Sequence, residues 1–216
     1  MNAEPIKTFH QNNYQQVCDQ LSKQDADFAE VIQNYGYPPF WSRANAFESL
    51  VHIILEQQVS LASALSALNK LKERIQEVTP ARVLMLTDEE LRACYFSRQK
   101  TAYTKYLAEA ILNRQLDLAE LADLPDDEVR SRLTALKGIG NWTVDIYLLM
   151  VLHRTDIFPI GDLAIINAFK RLKQLPASTS QSQLLAFAET WRPYRSIAAM
   201  LLWHFYLSST ALKNKG

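Results

Sequence analysis

Apolar side chains recur at three- and four-residue intervals along almost the whole chain, and no stretch alternates apolar and polar long enough to read as a strand. Phe47, Leu50, Val51, Ile54 and Leu55 form the strongest stripe. Asn45 is placed to cap that helix, which ends at Gln57-Gln58. Ser60 opens the next, with Leu61, Leu65, Leu68 and Leu71 along one side. Upstream, Asn12/Asn13 start a helix to about Lys23, and Asp25 starts another ending near Gly36. Tyr37-Pro38-Pro39-Phe40-Trp41 follows as a stiff aromatic loop. Downstream, Thr87-Asp88-Glu89-Glu90 reads as a capping box, in which hydroxyl and carboxylate each satisfy a free backbone amide. Ser97 begins a helix to about Asn113, and Pro125 one that runs to Lys137-Gly138 with acids in its first turn. Asn141–Leu152 is helical, and further helices start at Asp162, Thr179 and about Pro193, the last ending near Ser208. The predicted fold class is all-α.

Composition narrows the class. A chain of 216 residues with 48% hydrophobic content buries a sizeable core. The longest apolar runs, Ile146–Leu152 and Ile197–Leu202, are too short to span a bilayer. Met1–Pro5 lack the basic-then-apolar pattern of a secretion signal. Cys18 and Cys94 cannot make a four-thiolate site or a disulfide framework, and His10, His52, His153 and His204 show no metal-ligand spacing. The expected setting is therefore soluble, not secreted and without a membrane partner. Formal net charge is zero, but residues 161–216 carry seven basic side chains (Lys170, Arg171, Lys173, Arg192, Arg195, Lys213, Lys215) against two acidic ones. That quarter is a candidate anion-facing surface.

Candidate chemistry concentrates where the glycines do. Three of the five glycines fall in Leu136-Lys137-Gly138-Ile139-Gly140-Asn141-Trp142-Thr143 and Pro159-Ile160-Gly161-Asp162. Gly-x-Gly between two helices makes a tight turn, and the second helix then begins at once, presenting unpaired N–H groups that bind phosphate without a lysine. Asp162 would cap its own helix. An ordinary helical corner that binds nothing has the same short pattern.

These residues resemble the helix-hairpin-helix and Gly/Pro…Asp signature of base-excision DNA glycosylases. Phe47–Ser60 is similar to the first barrel helix of the 3-methyladenine DNA glycosylase II group, and Trp191–Ser196 with Trp203 to its C-terminal helix. The resemblance implies a two-lobed fold with the active-site cleft between lobes. One lobe is expected over 44–157 and carries the hairpin; residues 1–43 and 158–216 make the second. It implies a monofunctional glycosylase that hydrolyses the N-glycosidic bond of alkylated purines, of the 3-methyladenine and 7-methylguanine type, in double-stranded DNA. A monomer is expected, cytoplasmic and nucleoid-associated in a bacterium or nuclear in a eukaryote.

Roles follow from the same resemblance. Asp162 matches the catalytic aspartate, which stabilises positive charge developing on the sugar. Trp203, Trp142 and Ile146 match walls of the base pocket, where some relatives have an aromatic at position 146. An indole face suits a cationic lesion. Trp142 stands where bifunctional relatives carry a Schiff-base lysine, so no lyase activity is expected. Trp41 and Trp191 are assigned to core packing. Gln58 occupies the wedge position that fills the gap left by an extruded nucleotide, with Gln57 before it. Gly138, Ile139, Gly140 and Thr143 form the phosphate-binding hairpin. Glu56 departs from the small residue common in relatives and would repel DNA unless it faces away. No cofactor is required, though backbone carbonyls of Thr134, Leu136 and Ile139 could bind a structural sodium or potassium ion. Two other functions fit the pattern: a non-catalytic helix-hairpin-helix module for DNA or a repair partner, and a glycosylase for an oxidised or deaminated base.

Overall fold

The computed structural model describes residues 8–213. Met1–Pro5 and the side chains of Lys213 and Lys215 lie outside the described residues. Among these the chain is helical, with no strand and one isolated antiparallel bridge, Thr8 to Arg154. The helices are α1 (Tyr14–Gln24), α2 (Ala26–Tyr35), α3 (Phe47–Glu56), α4 (Leu61–Ile75), α5 (Pro80–Leu84), α6 (Asp88–Ala93) and α7 (Arg98–Leu112). After them come α8 (Leu118–Leu121), α9 (Asp126–Thr134), α10 (Asn141–Met150), α11 (Leu163–Leu172), α12 (Gln181–Ala188) and α13 (Arg195–Lys213). A short 3-10 turn, Glu189–Trp191, precedes the last.

Side-chain caps set most of these starts. Asp25, Ser60, Ser97 and Asp162 each accept a first-turn backbone N–H, and Thr87 forms the full capping box with Glu90. Asn45 does not cap α3. Ala46 holds that position, and the Asn45 amide instead donates to the Leu118 carbonyl while its oxygen accepts from the Tyr147 hydroxyl. A long-range bridge has replaced a local one. Two short helices not expected from the pattern, α5 and α8, are set by Thr79 and Asp117 as N-caps. Pro125 sits at the N-cap of α9, which ends at Thr134, before the hairpin turn.

The chain divides into two compact units, Arg43–Tyr147 and a unit made of Met1–Ser42 with Leu148–Gly216. The second boundary falls inside α10, between Tyr147 and Leu148, where the sequence reading put it at 157/158. In the first unit α3 packs against α4 and α7, burying Leu50, Val51, Ile53, Ile54 and Leu55. The expected α4 stripe is split: Leu68 and Leu71 are buried, but Leu61 and Leu65 face solvent. In the other unit α11 and α2 pack against α13 around Phe28, Phe158, Phe169 and Trp191. Lys173 closes that core by pairing with Asp25 (2.5 Å) and Asp27 (2.6 Å), and the Trp191 indole N–H donates to Asp25 (2.7 Å). No helix among the described residues is long and apolar enough to cross a membrane.

Candidate DNA-repair active site

The hairpin belongs to the unit Arg43–Tyr147 and joins α9 to α10. The Ile139 N–H donates to the Leu136 carbonyl (3.1 Å), and the Val144 N–H then returns the chain to helix on the Gly140 carbonyl (3.1 Å). Gly138 has φ of 91°, and an added Cβ there would lie 2.0 Å from Cγ of Tyr103. Backbone conformation and the tyrosine ring therefore both demand glycine at 138. Gly140 is different. Its backbone is not left-handed, it is exposed, and an added Cβ would meet nothing within 4 Å. No neighbour requires glycine at 140, which leaves bare backbone beside the start of α10 for something arriving from outside. A phosphate fits that description.

The other hairpin residues hold the turn together. Ile139 is buried, and Thr143 is 1% exposed with its hydroxyl accepting from the Gln57 amide (3.0 Å). The Thr143 side chain is thus an internal anchor of the hairpin. Gln57 also donates to the Gly138 carbonyl (2.9 Å), so its side chain is committed to the hairpin and cannot double as a wedge. Gln58 is the exposed one, with φ of 56°. Ile146 is 2% exposed and lies in the core, so it offers no wall to a base. Trp142 is half-buried at the start of α10.

Glu56 takes the second of its two expected outcomes and faces inward. It is buried and gripped by Arg43 through two bonds (3.0 and 2.6 Å), with His52 at 3.6 Å. Burial, then the Arg43 charge, pulls the His52 pKa below the ordinary imidazole value. The acid faces inward and its charge is matched. For the three hairpin carbonyls, Leu136 already spends one lone pair on Ile139, leaving its second for a cation. Neutral hard oxygens of this kind suit a monovalent ion. No cluster of three or more His, Cys, Asp or Glu that could hold a metal occurs among the described residues.

Asp162, Trp203 and Trp41 belong to the other unit. Asp162 N-caps α11: its Oδ1 accepts from Ala164 N–H (2.9 Å) and Ile165 N–H (3.1 Å). Its own N–H donates to the Pro159 carbonyl (2.9 Å), which fixes the Pro159-Ile160-Gly161 turn ahead of it. Trp203, half-buried on α13, meets Trp41 edge to face with ring centres 6.3 Å apart. Trp41 packs against the core, as expected, and from there it also braces the indole assigned to base stacking. Trp191 is fully buried, as expected. The basic residues of the C-terminal quarter are engaged internally. Arg192 and Arg195 pair with Asp156 and Glu189, Lys173 with Asp25 and Asp27, while Arg171 lies over Phe205 and Lys170 donates to the Ala177 carbonyl. Three of the cations expected to face an anion, Lys173, Arg192 and Arg195, are thus held in ion pairs.

Comparison with known proteins places the chain in a family. The profile of HhH-GPD superfamily base excision DNA repair proteins matches residues 51–193. The chain belongs to the HhH-GPD superfamily. It is 32% identical to DNA-3-methyladenine glycosylase 1 of Schizosaccharomyces pombe over 81% of this chain and 78% of that protein. It is 29% identical to DNA-3-methyladenine glycosylase 2 of Escherichia coli over 74% of this chain and 57% of that protein. The structure of the S. pombe 3-methyladenine DNA glycosylase in complex with abasic DNA superposes with a TM-score of 0.80 at 30% identity. That match covers 87% of this chain and 95% of the other. These HhH-GPD relatives fall in the 3-methyladenine glycosylase group, in agreement with the resemblance read from Phe47–Ser60 and Trp191–Trp203.

Proposed function

We propose that this HhH-GPD protein is a DNA glycosylase that releases alkylated purines from duplex DNA by hydrolysis. The observation that carries the reading is Asp162: a carboxylate held by two backbone N–H groups at the head of α11, after the Pro159-Ile160-Gly161 turn and within the residues matched by the family. Departure of a purine from C1′ builds positive charge on the deoxyribose, and a fixed carboxylate beside it lowers that barrier. A 3- or 7-alkylated purine is already cationic. It leaves with the electron pair of the C1′–N bond as a neutral base, so no acid need protonate it. Water adds at C1′, its proton passes to solvent by way of Asp162, and an abasic site remains. Trp203 braced by Trp41 would stack the cationic base. Gly140 would accept a phosphate on its backbone, and Gln58 would fill the gap in the duplex.

Trp142 supplies no amine, so the reaction stops at the abasic site. A sodium or potassium ion on the carbonyls of Thr134, Leu136 and Ile139 would add charge for the phosphate; the hydrolysis needs no cofactor. The chain would work as a monomer in the compartment that holds the DNA. The test is base release from methylated duplex DNA, resolved by chromatography, for the wild type and Asp162→Asn. Release of 3-methyladenine and 7-methylguanine by the wild type alone is expected. Equal release by the variant, or none by the wild type, overturns the reading. Borohydride should trap no covalent complex.

A further inference from the structure

The end of α3 is held from several directions within its own unit. The Lys100 ammonium, on α7, donates to the Leu55 carbonyl (2.6 Å), and burial lowers its pKa. Arg43 chelates Glu56 (3.0 and 2.6 Å). Gln57 then uses its amide as a two-donor fork, to the Gly138 carbonyl (2.9 Å) and the Thr143 hydroxyl (3.0 Å). The next residue, Gln58, enters the left-handed region at φ of 56° and points to solvent. Such a conformation persists in a non-glycine residue only when its surroundings fix it.

Both acceptors of the fork are packed in place. Gly138 lies under the Tyr103 ring, and Thr143 is buried in α10. Of the three tethers, only that of Gln57 reaches the hairpin.

We propose that Gln57 is a positioning residue that locks the Gln58 loop to the phosphate-binding hairpin at one fixed separation. The proposal rests on the glycosylase reading above. A duplex gripped by a phosphate at Gly140 then meets Gln58 at a set distance along its axis. Base extrusion needs both contacts at once, so a loose loop raises the cost of opening the pair. Breaking the glycosidic bond, once the base is out, is unaffected.

Single-turnover release of 7-methylguanine tests this on two duplexes, one with the lesion opposite cytosine and one with it opposite a tetrahydrofuran gap, where pairing is already lost. Removing two hydrogen bonds in Gln57→Ala should slow release about tenfold on the paired substrate and less than about twofold on the gapped one. Gln57→Glu, which cannot donate to a carbonyl, should match it. If Gln57→Ala does not fold, Thr143→Val carries the same comparison, with about threefold slowing expected on the paired duplex alone. Equal slowing on both duplexes, or slowing on neither, overturns the proposal. Wild type inactive on both duplexes overturns the glycosylase reading and the proposal with it.

Discussion

Asp162 serves a helix and a reaction with one carboxylate. Its Oδ1 takes both capping bonds, so α11 orients the group. Asparagine caps as well as aspartate, which makes Asp162→Asn a clean separation of the two duties. That variant should melt with the wild type while single-turnover base release falls by about 10²- to 10³-fold. Asp162→Ala should lose the same activity and about 1 kcal/mol of stability besides, measured by urea titration. The two hairpin glycines should part in the same way. Gly138→Ala meets the Tyr103 ring and a left-handed backbone, and should cost about 2 kcal/mol or more. Gly140→Ala has room, so its stability should hold while affinity for duplex DNA weakens, read by fluorescence anisotropy. A Gly140→Ala variant with unchanged affinity would remove the phosphate from that position.

Helix starts were legible because a cap is a local bond: Asp25, Ser60, Thr87, Ser97 and Asp162 each reach a backbone N–H within three residues. What the sequence hid was bonded at a distance. Asn45 reached Tyr147 and Leu118, Glu56 turned inward to Arg43, and Gln57 joined the hairpin. Side chains with two polar ends have many possible partners, and only the packed helices choose among them. The ends of α2 and α11 illustrate the energetic weight of such choices. Lys173 and Asp25 are both nearly buried, so Lys173→Met strands a carboxylate and should cost about 3 kcal/mol or more in chemical denaturation. The loop around His153 gives a pH signature. Its ring stacks on Phe40 and meets Phe9 edge on, and burial lowers its pKa from the usual 6.5. The unfolded chain takes up this proton first, so the stabilising contribution is full above about pH 6.5 and declines as pH falls toward the folded value. Melting curves from pH 7.5 to 5 should show a shallower decline for His153→Gln, with the slope due to His52 remaining.

For the molecule as a whole, the all-α class and the superfamily were readable from periodicity and the Gly138–Asp162 signature. The role of charge was not. Counting residues suggested a basic C-terminal quarter, whereas Asp156, Glu189, Asp25 and Asp27 neutralise much of it. A protein that holds phosphate through uncharged N–H groups releases few counterions. The logarithm of the duplex binding constant should therefore fall with the logarithm of salt with a slope of about −2 to −4. A slope steeper than about −6 would mean that unpaired cations carry the binding.

Chain order has its own consequence. The unit that holds Asp162 is assembled from both ends of the sequence, with Arg43–Tyr147 inserted between them. On the ribosome, the segment bearing Phe9, Val17, Leu21, Phe28 and Val31 emerges before Ile165, Phe169, Trp191 and Leu201, the residues that share its core, have been synthesised. At ordinary translation speeds that delay is about 5–20 s, ample for the inserted unit to fold meanwhile. The last apolar surface to be covered in a nascent molecule is thus that of α1 and α2. A polypeptide stalled near Ser208 should already protect the hairpin from protease while α1 and α2 are still cut, and only release of α13 should close the unit that carries the aspartate.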